Sequence, residues 1–266
     1  MNASQGLWTK QNRRIAILLI LLAGILGISI FVGRYPKPFL MPSEVLVEDT
    51  MAQRLVWNLR IPRIITAALL GATLAVCGTV LQMIFRNPIV EPGFLGVSQG
   101  AAFGAAVAIL WLGGGRLAVE LSESLFALLG RAGSFLLART IRFGGWVLRL
   151  ILSGIVISAL FSSGLGVLKY LADPLTQLQE ITFWLLGGLW SVTWQDLLYV
   201  APVVIIGLLV VYLMRWRLNV LALGQDTAFS LGAETTKERL VLLIAAVSAT
   251  AVLTAVSGIV GWVGLI

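Results

Sequence analysis

The sequence predicts an all-α, polytopic membrane protein, a transmembrane helix bundle with about seven spans, and three observations carry that expectation. Hydrophobic residues make up 59% of the chain and charged residues 12%, against roughly a quarter charged in soluble proteins. The apolar residues gather in runs of spanning length. The clearest, Ile64 to Phe85, has no charge over 22 residues, and at about 1.5 Å each these cover roughly 33 Å, enough to cross a hydrocarbon core. Most of the charges that remain fall between the runs, and nine Trp suit helix ends at a membrane interface.

Residues 1–14 are polar and basic (Lys10, Arg13, Arg14) and precede the uncharged run Ile15 to Val32. That run exceeds a signal peptide's core of about 7–15 residues and lacks an Ala-x-Ala exit, so it reads as span one. Residues 34–58, with Pro36, Pro38 and Pro42, form an outer polar connector. Span two (64–85) ends at Arg86, Asn87 and Pro88. Pro92 and Gly93 then break helix geometry, so spans two and three (about 94–112) are joined by a tight turn. Gly113 to Gly115 close span three without the Gly-Lys-Ser/Thr of a phosphate loop.

Span four (about 121–138) contains Glu123 and Arg131. Either it is buried against other helices, or it is short with Glu123 at the interface. A basic turn at 140–146 leads to span five (about 150–168), which carries Ser153, Ser158, Ser162 and Ser163. Asp173 to Trp194 lies outside, and ITFWLLGGLW within it reads as an interfacial helix too short to cross. Span six (197–214) ends at Arg215 and Arg217, residues 218–239 form a polar cytoplasmic segment, and span seven starts near Leu240.

This threading puts twelve basic and four acidic residues on the side assigned to the cytoplasm, and seven and eight on the other. The bias has the sign of the positive-inside rule and places the N-terminus in the cytoplasm. Ala75 to Val80 and Ala255 to Val260 echo each other on oppositely directed spans, as an inverted repeat would.

Several functions are excluded. One cysteine, Cys77, and no histidine leave nothing for a disulfide framework or for a zinc, haem or copper site. The pI near 10.2 comes from juxtamembrane charge rather than from a patch for nucleic acid. The membrane serines have no base at catalytic spacing, and no nucleotide-binding motif is present, so neither an enzyme nor a resident cofactor is expected.

Four groups remain as candidate sites. Arg60 and Arg63 share a helix side at i, i+3 at the start of span two, as lipid-phosphate anchors or as a bidentate pair for a partner's carboxylates. The 218–239 segment reads as two short helices ended by Gly224 and Gly232, with more apolar surface (Leu221, Leu223, Phe229, Leu231) than a solvated loop needs. Ser158 and Ser162, one turn apart with Gly154 one turn before, offer a small-residue stripe, for close packing or for lining a path. Glu91, with Asn87, Pro88, Pro92 and Gly93, reads as a structural turn.

LRIPR, RNPIVEPGFLGVSQGAA and NVLALGQDTAFSLG, with the small-residue helix between the first two, resemble the FecCD-type permease subunits of bacterial ABC importers for iron-siderophores, haem and vitamin B12. The resemblance runs from about residue 15 to Ile266 and implies a plasma (inner) membrane permease, one domain over 1–266, working by alternating access. It implies as partners a second permease copy or homologue, two ATPase subunits, a periplasmic or lipid-anchored substrate-binding protein, and membrane lipid. Arg60 and Arg63 would receive glutamates of the binding protein. Residues 218–239 would be the coupling segment, with Leu221, Leu223, Gly224, Asp226, Ala228, Leu231 and Gly232 meeting the ATPase. Ser153, Ser158 and Ser162 would border the translocation path. The cargo would be a ferric siderophore or a related chelate. The resembled pattern has ten spans, so further helices would follow GWVGLI. The alternatives are a secondary transporter driven by an ion gradient and a non-functional truncated permease.

Overall fold

The computed structural model describes residues 2–36, 39–88, 90, 96–223 and 225–261. The chain divides into two compact units, residues 1–66 and 67–266.

In the first unit, α1 (Asn2–Phe31) runs into a two-residue antiparallel pairing of Val32–Gly33 with Phe39–Leu40. Two short helices follow, α2 (Ser43–Glu48) and α3 (Thr50–Leu55). Asp49 starts α3 by accepting the Met51 N–H at 2.8 Å, and the Tyr35 hydroxyl donates to its other oxygen. Those two bonds, Tyr35 first, hold the Asp49 carboxyl below its ordinary range. Met41, Ala52 and Val56 form a small core.

The helix from Thr50 continues without a break through a π-helical stretch, Val56–Arg60, into α4 (Ile61–Phe85). The sequence expectation of a connector up to residue 58 is corrected here: the helix begins fourteen residues before Ile64. Pro62 is tolerated because its missing N–H falls next to the π-helical turn, where the regular bond ladder is already interrupted.

The second unit holds the bundle. From Ala67 onward, α4 is followed by α5 (Val97–Trp111), α6 (Arg116–Thr140) and α7 (Trp146–Leu171). Then come α8 (Gln177–Leu186), α9 (Trp194–Leu213), α10 (Arg215–Ala222), α11 (Gln225–Ser230) and α12 (Thr235–Ser257). Among the described residues six helices are long and apolar enough to cross a membrane, and α5 is a shorter apolar helix. The seven expected segments are therefore all helical, but the third is fifteen residues long and buried along much of its length.

Gly100 and Gly104 explain that burial. A Cβ on Gly100 would overlap the Phe126 carbonyl, and one on Gly104 the Ser122 carbonyl, so α5 and α6 pack backbone to backbone. Phe103, Phe126 and Phe161 lock α7 onto this pair, with ring centroids 5.1 to 6.2 Å apart. A capping box of Thr193 and Asp196 starts α9. The helix expected over 181–190 is corrected: α8 covers Gln177–Leu186 and stops where Gly187 and Gly188 take positive φ.

Candidate functional site

The segment after α9 is built as an anchored platform. Leu218, Leu221 and Ala228 are buried with Leu81, Ile84, Phe85, Leu242 and Ala246 in the largest core of the bundle. The C-terminal end of α11 closes in a Schellman arrangement. The Ala233 N–H donates to the Ala228 carbonyl at 3.0 Å and the Gly232 N–H to the Phe229 carbonyl at 2.9 Å, with Gly232 at φ +75°. Outward of this anchor stand Leu223, Phe229 and Leu231, 60%, 76% and 59% exposed.

The structure thus divides the predicted coupling set. Leu223 and Leu231 present surface, whereas Leu221 and Ala228 are completely buried and hold the platform down. Gly232 is the cap the sequence predicted. Gly224 lies outside the described residues, and Asp226 falls within α11. Phe229, the most exposed of the three apolar side chains, stands with Leu223 and Leu231.

Arg60 and Arg63 lie within the long helix and not at its start, ten and thirteen residues after Thr50. Both are half-buried. One nitrogen of Arg60 donates to the Ile30 carbonyl, which closes the end of α1. A Cβ on Gly33 would strike the Arg60 guanidinium, so glycine there makes room for it. That bond uses one of the five donors of the guanidinium.

Ser153 does not share a face with Ser158 and Ser162. Ser153 is buried, Ser158 is half-buried and Ser162 is exposed. Five residues at about 100° each turn Ser158 roughly 140° from Ser153, while Ser162 lies about 40° from Ser158. Only Ser158 and Ser162 can share a path.

Of the turn residues, Asn87 and Pro88 are described, and Glu91, Pro92 and Gly93 lie outside the described residues. α4 ends like α11: the Asn87 N–H donates to the Gln82 carbonyl at 3.1 Å and the Arg86 N–H to Met83 at 3.3 Å. Arg86 takes the left-handed position, φ +48°, that glycine usually fills.

Two cavities were not foreseen from sequence. One, of about 510 Å³, is lined by Glu120, Glu180, Phe183, Trp184 and Trp190 among others. The other, of about 220 Å³, lies between α5, α6 and α12 and is lined by Glu123 and Arg131. Glu123 is 1% exposed, which decides for a buried span four over an interfacial acid.

An apolar helix bundle in which six of the described helices are long and apolar enough to cross a membrane defines a polytopic membrane protein. The chain belongs to the FecCD transport family, whose model matches residues 17–266. It is 35% identical over 256 residues to the molybdate import system permease protein MolB of Haemophilus influenzae, covering 94% of this chain and 75% of that one. It is 37% identical over 214 residues to an iron chelatin transport system permease of Helicobacter pylori, covering 80% of this chain and 63% of the relative. The chain thus spans about three-fifths to three-quarters of these relatives' length. A metal-chelate type ABC transporter solved in an inward-facing conformation matches with a TM-score of 0.82 and 36% identity, over 96% of this chain and 79% of that one.

Proposed function

We propose that this chain is the permease subunit of an ATP-driven importer that carries a ferric siderophore or a related metal chelate by alternating access. The observation that carries the reading is the platform of Leu223, Phe229 and Leu231, exposed apolar surface on a segment whose own anchor is fully buried. Such surface is built for a partner. In this reading the partner is a pair of ATPase subunits beneath two permease copies in the plasma membrane. The N-terminus is cytoplasmic, as the positive charge bias supports. Arg60 and Arg63 then face outward and receive carboxylates of a substrate-binding protein. Ser158 and Ser162 border the path.

The cargo reading rests on the larger cavity, which this topology places on the outer side. Phe183, Trp184 and Trp190 offer flat apolar surface suited to a large chelate, and Glu120 and Glu180 disfavour a small oxyanion such as molybdate. The ATPase partnership is tested by co-purification. Replacing both Leu223 and Leu231 with Asp puts charge into the contact, where unpaired burial is strongly unfavourable. The variant permease should insert normally and lose the ATPase. Wild-type recovery of the ATPase with this variant would refute the reading.

A further inference from the structure

Glu123 and Asp196 are the deeply buried acids among the described residues, and they differ in how they are satisfied. Asp196 accepts from the Thr193 N–H at 2.7 Å and the Thr193 hydroxyl at 2.8 Å. Neither oxygen of Glu123 accepts a hydrogen bond of normal geometry, although the Trp184 indole lies close enough to act on the carboxyl. An ionised carboxylate removed from water without a partner is strongly unfavourable, so such a group in a membrane helix either holds a proton or gains a counter-charge.

The cavity beside Glu123 has the donors and the room to supply one. Ser98, Ser124, Thr250 and Thr254 line it with hydroxyls. The Thr250 hydroxyl donates to the Ala246 carbonyl and the Thr254 hydroxyl to the Thr250 carbonyl, each at 3.0 Å; Thr250 also bears on the Cys77 thiol, so Thr254 offers the freer oxygen lone pairs. A volume of about 220 Å³ holds an ion with several waters, each needing roughly 30 Å³.

The surrounding charges set the sign of the occupant. Glu120, one turn earlier on α6, adds its negative charge to that of Glu123. Arg131 lines the cavity eight residues further on, about 12 Å along the helix axis. Neither α5 nor α12 brings a charged side chain to the cavity. Arg131 opposes a cation in this cavity, whereas Glu120 and Glu123 favour one; of these charges Glu120 is the one that bears on the Glu123 carboxyl. One carboxylate among hydroxyls suits a single positive charge. Groups of three or more His, Cys, Asp or Glu that would hold a multivalent metal are absent among the described residues.

We propose that this cavity is a binding site for one monovalent inorganic cation of the sodium class, with the Glu123 carboxylate as its charged ligand and the hydroxyls of α12 as neutral oxygen donors. The site is separate from the ATPase platform, and its test does not depend on the importer reading.

Titrating the purified chain in detergent with sodium chloride, at constant ionic strength held with choline chloride, should show saturable binding of one sodium ion per chain. Glu123→Gln, close to isosteric, should weaken that binding roughly tenfold or more, since it removes the charged ligand. Thr254→Val should weaken it by a smaller factor and provides a second variant if Glu123→Gln folds poorly. No saturable sodium binding, or unchanged binding in either variant, overturns the proposal. So does an infrared band of a protonated carboxyl that persists at saturating sodium and vanishes in Glu123→Gln, because Glu123 then holds a proton instead.

Discussion

Truncating the exposed platform should separate partner binding from folding by a measurable amount. Leu223, Phe229 and Leu231 are 60%, 76% and 59% exposed. Full burial of such a side chain is worth roughly 1.5–3 kcal/mol, so burying the remaining exposed part yields about 1–2 kcal/mol each. Changing all three to Ala leaves only their Cβ atoms and should cost about 3 kcal/mol of ATPase binding, roughly a hundredfold in Kd. The same triple variant should change the permease's own stability little, because exposed positions rarely shift it by more than about 0.5 kcal/mol each. Leu221→Ala provides the opposite control. Its side chain is fully buried, and the truncation should cost roughly 2–5 kcal/mol of folding stability. Binding of detergent-solubilised permease to immobilised ATPase, with thermal unfolding measured in parallel, reads both quantities. If the triple variant binds as tightly as the wild type, the exposed apolar surface is not the contact and the reasoning fails.

Other outcomes follow from the same structure. Charge reversal of Arg60 and Arg63 to Glu should weaken binding-protein association by about 2–5 kcal/mol while ATPase binding persists; unchanged association would leave the arginines as lipid anchors. Gly104→Leu should destabilise the α5–α6 packing, since even a Cβ there meets the Ser122 carbonyl. Thermal unfolding of the purified variant would show it, and an unchanged midpoint would contradict the close approach. Asp49 has its carboxyl lowered by the Tyr35 hydroxyl and the Met51 N–H. Its contribution is therefore present above the ordinary carboxylate range near pH 4 and lost as pH falls through the lowered value. Hydrogen exchange of the amides in α3 should accelerate on acidification, and Tyr35→Phe should shift that onset to higher pH.

Long-range burial accounts for most of what the sequence could not reveal. Apolar run length was enough to place the helices, because a span must satisfy its backbone internally and must be long. Glycine after a short apolar patch marked the cap at Gly232, whereas α8 lies at Gln177–Leu186, four residues earlier than expected at each end. Run length could not show that α5 is a buried fifteen-residue helix, since that depends on Gly100 and Gly104 meeting α6 backbone. Nor could it show that the helix through Arg60 begins at Thr50, because Gln53, Arg54, Asn58 and Arg60 interrupt the apolar residues there. The motif text marked the platform segment but not which residues face inward. Leu221 and Leu223 are two positions apart, close to opposite sides of a helix, and only tertiary packing decides which is buried. Glu123 was visible as a charge within a span, but its unpaired state required the cavity itself.

Uptake into proteoliposomes holding the permease with its ATPase shows whether ATP on separate chains drives this permease. With the binding protein and a ferric chelate outside and ATP inside, the account predicts chelate accumulation that stops without ATP. It also predicts loss of uptake in the Leu223, Phe229 and Leu231 triple variant and no dependence on a transmembrane ion gradient as energy source. Accumulation driven by an imposed sodium or proton gradient in the absence of ATP would contradict it.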